Sequence, residues 1–163
     1  MGSLMDLTVY CVGKLKEDFY RLAVSEYEKR LSRYCKLRIV EVADERVPEP
    51  ADAATLTKVK EKEGERLLSK VREDAFLIAL AIDGERMDSI RFSKKIEELG
   101  LYGTREIGFV IGGSVGLSDA VLHRADFTLS FSDMTFPHQL MRVILLEQIY
   151  RAFRIMKGEP YHK

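Results

Sequence analysis

Short apolar runs alternate with longer amphipathic ones along the whole chain. Residues 7–12 read as a buried strand ended by Gly13, and 76–82 is the kind of continuous apolar run that fills the middle of a parallel sheet. Residues 37–42 read as a strand whose two faces each carry a charge near one end, so the more buried face stays open. Further strands are predicted at 107–111, running into Gly112-Gly113, and at 127–131. Between the strands the spacing is helical. Phe19, Leu22, Ala23, Tyr27, Leu31 and Tyr34 form one stripe over 19–34, and Leu56, Val59, Leu67, Leu68 and Val71 a narrower one over 56–71. The outer face of that second, highly charged helix reads as simply solvated. Residues 47–54, with Pro48 and Pro50, read as a loop. Asp83-Gly84 reads as a turn, after which Ser89 is placed to cap a helix to about Leu99; Ser118 is placed to cap a short one to Arg124. Strand and helix alternate throughout, which predicts an α/β fold with a mostly parallel sheet and crossover helices.

The last predicted helix, 138–157, departs from the amphipathic pattern. Leu140, Met141, Val143, Ile144, Leu145, Leu146, Ile149, Tyr150, Phe153, Ile155 and Met156 leave it almost no polar face. A surface helix needs only one apolar stripe, so this one is expected to be covered on two sides. The second cover is expected to be another copy of the chain, making a homodimer; burial within one subunit is the competing explanation.

Composition narrows the setting. The 163 residues are long enough for one domain with a substantial core. Met1-Gly2-Ser3-Leu4, ahead of a second methionine, Met5, read as a cloning remnant, so the fold is argued over 5–163 as a single domain. The 26 basic and 26 acidic residues cancel, and no global field marks a nucleic-acid binder. The charge is nonetheless patterned: 41–52 holds five acids against Arg46, whereas Arg151, Arg154, Lys157 and Lys163 face only Glu159 near the end. Cys11 and Cys35 are too few for a disulfide framework and lack metal-ligand spacing, so they read as buried thiols in a reducing compartment. No run approaches the length of a membrane span and no signal peptide pattern is present, so a cytoplasmic protein is expected, with no membrane partner.

The chemistry-bearing stretches sit at strand ends. Ile111-Gly112-Gly113-Ser114-Val115-Gly116-Leu117 leaves one strand, and Ser130-Phe131-Ser132-Asp133-Met134-Thr135-Phe136-Pro137-His138-Gln139 leaves another and enters the last helix. Both therefore belong at the carboxyl edge of one sheet, where α/β proteins build ligand sites. The glycine run has neither the Gly-Lys-Ser/Thr of a P-loop nor GxGxxG spacing. Alone it could be a tight turn; with the second loop beside it, it can let backbone approach a ligand while the loop's peptide groups meet a purine edge. The chain closes on Gly158-Glu159-Pro160-Tyr161-His162-Lys163, a polar tail better suited to chemistry than to packing.

Taken in order, Leu80, Ile111-Gly112-Gly113-x-x-Gly116-Leu117, Leu129-Ser130-Phe131-Ser132-x-Met134-Thr135-Phe136-Pro137-His138, Glu147-Gln148-x-Tyr150-Arg151-Ala152 and Pro160-Tyr161-His162-Lys163 resemble the RlmH family. These are the SPOUT-class pseudouridine N3-methyltransferases of large-subunit (23S) ribosomal RNA. The resemblance runs from about Met5 to Lys163, with one departure: the chain ends at Lys163, where some members have arginine and one more residue. It implies a single-domain α/β-knot fold with helices on both sheet faces and a C-terminal trefoil knot, a homodimer, and S-adenosylmethionine as methyl donor with no metal. Periodicity alone would not lead to a knot. The implied cofactor-binding residues are Leu80, Gly112, Phe131, Ser132, Asp133, Met134, Thr135 and Phe136, with Asp133, at a position the motif leaves open, contributing backbone only. For removal of the N3 proton the candidates are His162 and His138, with Tyr161 beside them as a stacking residue. Arg142, Tyr161, His162 and Lys163 are the candidates for contact with RNA. The neutral net charge suits an enzyme that needs the assembled ribosome rather than free RNA. Two competing readings are a related SPOUT enzyme acting at another RNA position, ribose oxygen included, and a non-catalytic ribosome assembly factor.

Overall fold

The computed structural model describes residues 4–163, and the first three residues of the supposed remnant at 1–4 lie outside the described residues. In chain order the elements are β1 (Met5–Val12), α1 (Asp18–Leu31), β2 (Cys35–Val42), α2 (Ala53–Leu68), β3 (Phe76–Arg86), α3 (Ser89–Leu101), β4 (Glu106–Ile111), α4 (Asp119–Arg124), β5 (Phe127–Ser130) and α5 (His138–Met156). The five strands form one sheet in the order β2-β1-β4-β3-β5, and every pairing is parallel. Strict alternation sorts the side chains. Leu7, Val9 and Cys11 of β1, Ile78 of β3, and Ile107, Phe109 and Ile111 of β4 enter a core with Val24 and Leu31 of α1, Phe92 and Ile96 of α3, and the buried face of α5. Tyr10, Val12, Leu77, Ala79 and Val110 enter a second core with Leu67 of α2 and Val121 of α4. Helices thus cover both faces, α1, α3 and α5 on one and α2 and α4 on the other.

One buried polar pair joins two strands of the sheet. Tyr10 donates to Glu106 Oε1 at 2.8 Å across two adjacent strands, and burial, reinforced by that carboxylate, pushes its phenol up to about 12. Gly108 makes room for the Tyr10 ring, since an added Cβ would sit 3.0 Å from it. Cys11 and Cys35 are both buried free thiols, each pushed by burial up to about 12.

Several expected boundaries move. β3 does not end at an Asp83-Gly84 turn. It pairs with β5 through Leu80–Leu129, bulges over 81–84, and resumes with Glu85 opposite the same Leu129. Gly84 permits this: a Cβ there would lie 2.7 Å from the Leu129 carbonyl carbon. The cap of α3 is Asp88, whose carboxylate accepts from Arg91 N at 2.8 Å, and Ser89 instead donates to Gln148 Oε1 at 2.7 Å. Helix α2 begins early because Asp52, assigned to a loop, caps it through Thr55 N. The predicted stripe holds only toward its end, for Phe19 and Leu22 are 63% and 71% exposed while Leu31 and, just past α1, Tyr34 are buried.

Helix α5 lies between α1 and α3 on one face of the sheet, which accounts for most of its apolar character within a single subunit. Leu140, Ile144 and Ile155 are only half-buried and stand outside the core cluster. No described helix is long and apolar enough to cross a membrane.

Candidate active site

The carboxyl ends of β3, β4 and β5 open onto a cavity of about 850 Å³. The loop after β4 forms one wall. Gly113 and Gly116 bridge each other, and a Cβ on Gly112 would fall 2.6 Å from the Gly116 carbonyl carbon. Gly116 itself has φ +89°, a left-handed conformation that glycine adopts without penalty. The bulge of β3 supplies Ala81, Ile82 and Asp83, after Leu80. The loop between β5 and α5 closes the opposite side. Its shape is held by hydroxyls: Ser130 Oγ donates to Ser132 O at 3.2 Å, and Ser132 Oγ accepts from Met134 N at 2.9 Å. Arg86, at the resumed end of β3, forms an ion pair with Asp133 and ties this loop to the bulge.

Of the residues expected to hold a cofactor, Leu80, Gly112, Phe131, Ser132, Met134, Thr135 and Phe136 all line the cavity. Asp133 does not; its carboxylate is engaged by Arg86 outside it. His138 lines the cavity at the start of α5, and burial followed by the nearby Arg142 charge holds its imidazole below the usual histidine range.

The tail packs elsewhere in this subunit. Tyr161 meets Tyr150 edge-on at 5.0 Å and lies under the Arg151 guanidinium, and Glu159 is anchored by Arg154 at 2.7 Å and Tyr34 at 3.0 Å. Arg151 Nη1 is 3.1 Å from His162 Nδ1; a guanidinium can only donate, so Nδ1 accepts. His162 lines a smaller cavity, of about 420 Å³, on the far side of the wall made by Leu129, Phe131 and Phe136. His138 and His162 therefore line different cavities. Lys163 is exposed.

Arg142 requires a correction. Expected at an RNA phosphate, it is 1% exposed, pairs with Glu41 Oε2 at 2.6 Å and donates to Gly13 O at 3.2 Å. The sequence shows only a lone cation among the apolar residues of α5, and the position of β2 supplies its partner.

Sequence reasoning missed Lys60, which reaches the rim of the cavity from α2, and Glu63, buried on the same helix. One signal was present. Gly64 interrupts the charged helix, and an interior glycine costs about 1 kcal/mol relative to alanine, so it marks close packing. Here a Cβ would meet Ser118 Oγ at 2.3 Å.

A cavity walled by a glycine-rich loop, apolar side chains and small polar residues at the carboxyl edge of a parallel sheet suits a nucleotide-like ligand. The family described as "Predicted SPOUT methyltransferase" matches residues 5–162, and the chain belongs to that family. More particularly, it is 60% identical to Ribosomal RNA large subunit methyltransferase H of Bifidobacterium adolescentis, over 98% of this chain and 100% of that protein. It is 55% identical to the protein of the same name from Clostridium kluyveri, with the same coverage. A solved structure described as a probable methylase family protein from Haemophilus influenzae Rd KW20 has the same fold, with TM-score 0.55 and 12% identity over 99% of this chain and 72% of that one.

Proposed function

We propose that this chain transfers a methyl group from S-adenosylmethionine to N3 of a pseudouridine in large-subunit ribosomal RNA, acting as a homodimer on the assembled ribosome. The observation that carries the reading is the cavity shared by the loops after β4 and β5, since it gathers seven of the eight expected cofactor residues. Its volume suits a nucleoside-sized ligand, and its walls are mostly apolar, with Lys60 and Asp83 as charged residues among them. The full-length similarity to proteins named ribosomal RNA large subunit methyltransferase H supports the RNA class.

The bound cofactor supplies an electrophilic methyl whose departing thioether is neutral, so no charge stabilisation of the leaving group is required. The protein's share is alignment and proton handling. Leu80 and the 131–136 loop hold the nucleoside, Gly112 admits it close to backbone, and fixing donor and acceptor together can supply several kcal/mol. His138, kept neutral below the usual histidine range, is suited to receive or relay the N3 proton. We read 5–163 as one domain, folded into the knot that the family resemblance implies, a topology with which the strand order is consistent.

The half-buried stripe of Leu140, Ile144 and Ile155 is offered as the dimer contact. Because Tyr161 and His162 lie outside the cofactor cavity of their own subunit, they are assigned to the site of the other. The deciding experiment is transfer of labelled methyl from S-adenosylmethionine to ribosomal particles lacking the modification, with separated subunits and free RNA in parallel. Label in a large-subunit pseudouridine, dependent on the particle, is the expected result. Cofactor binding without label in any fraction would favour an assembly factor instead.

A further inference from the structure

Beside the main cavity lies another of about 580 Å³, between the ends of β1, β2 and β4. The two share Gly113, Ser114 and His138 as a common wall. The rest of the second cavity is dominated by charge: Lys14, Lys16, Glu41, Asp44, Glu45 and Glu63. Two of these acids already have cations, since Glu41 is held by Arg142 and Glu45 by Arg66. What remains unpaired among the described residues is two carboxylates, Asp44 and Glu63, and two ammonium groups, Lys14 and Lys16.

Glu63 stands apart from the others. It is 4% exposed, its Oε2 accepts from Glu45 N at 3.0 Å, and its Oε1 is buried with no hydrogen-bond partner. That free oxygen faces the shared wall, 3.0 Å from where a Cβ on Gly113 would stand. A buried carboxylate oxygen without a donor is costly, and a donor arriving with a ligand would relieve the cost. Burial accordingly raises the Glu63 carboxyl above its ordinary range. The balance of charge suits neither a polyanion, which the carboxylates would repel, nor a simple cation, which the lysines would. It suits a zwitterion.

We propose that this second cavity takes the zwitterionic α-amino acid end of S-adenosylmethionine, Glu63 receiving the α-ammonium and Lys14 and Lys16 the α-carboxylate. The inference rests on the cofactor reading above and adds a subsite to it. Glu63 would then select donors that carry the intact amino acid.

The test is calorimetric binding by the full chain of S-adenosylhomocysteine and of 5′-methylthioadenosine, which has the same adenosine and thioether but no amino acid. The wild type should prefer S-adenosylhomocysteine by about tenfold or more, the scale of one charge-assisted hydrogen bond. In Glu63→Gln that preference should shrink to about threefold or less, with 5′-methylthioadenosine affinity unchanged. Glu63→Asp, which keeps the charge but withdraws it by one methylene, should fall between. A wild type that binds both ligands alike, or that binds the des-amino analogue of S-adenosylhomocysteine as tightly as the parent, overturns the subsite whatever the variants do. So does an unchanged preference in Glu63→Gln, including the case where methyl transfer falls, which would assign Glu63 to the acceptor base. Failure of the wild type to bind any of these ligands would instead remove the cofactor reading itself.

Discussion

Gly112 is the residue on which the main cavity most depends. Its φ is ordinary, and what requires glycine is the backbone of Gly116 packed against it. Gly112→Val is expected to force that loop into the cavity, weakening S-adenosylhomocysteine binding more than tenfold by calorimetry at a stability cost of about 1–3 kcal/mol. The cysteines make the opposite case, in which burial silences chemistry. Cys11 and Cys35 are each 2% exposed, with thiols pushed up to about 12, so neither should react with Ellman's reagent at pH 8 until denaturant is added. His138 links site to stability. Its folded pKa is lowered, so the unfolded chain binds the extra proton first and stability falls as pH drops below 6.5, the ordinary value. His138→Gln should flatten the melting temperature between pH 7.5 and 5.5. Methyl transfer by the wild type should persist below the ordinary histidine range, since the base form does. These residue identities were legible in the sequence as strand-end glycines, a loop histidine and two lone cysteines. The burial of the cysteines was expected as well; that of His138 was not, because it comes from elements far away in the chain.

Among the elements, α5 was read most fully from sequence and yet misread at one position. Its apolar residues do meet two neighbours, but these are α1 and α3 of the same chain, and its buried cation neutralises Glu41 of β2. Arg142→Ala should therefore cost about 2–3 kcal/mol, less than a wholly buried pair because Glu41 keeps 36% exposure. Urea denaturation should show a lower midpoint at unchanged slope, and the salt dependence of binding to ribosomal particles should not change, as it would for a lost phosphate contact. Helix α3 and strand β3 show why local signals failed elsewhere. Asp88 and Ser89 are both good caps, and Asp83-Gly84 is a good turn. The choice between neighbours was made by Gln148 of α5, which takes Ser89, and by β5, which draws the chain onward as strand beyond Gly84.

At the scale of the whole molecule, the exposed Phe19 and Leu22 of α1 and the half-buried stripe of α5 are apolar surface that the chain does not cover. A dimeric mass by light scattering at micromolar concentration is expected, and Ile144→Asp should lower it toward the monomer. Deleting Tyr161 to Lys163 should leave cofactor binding within about twofold while abolishing methyl transfer. Mixing that truncated chain with a cofactor-blocked full-length chain should restore part of the activity, because each mixed dimer would then hold one complete site. By itself, the sequence determined the strand-helix order, a mostly parallel sheet and the two loops of the main cavity, since period-two and period-3.6 patterns and strand-end glycines are local properties. Only the tertiary structure decided that Arg142 is a buried ion pair, that β3 bulges into the cavity, that Glu63 is buried with a free oxygen, and that the tail lies behind the cavity wall. Each of these depends on which distant backbone or charge arrives beside the residue, and no run of neighbouring residues encodes that.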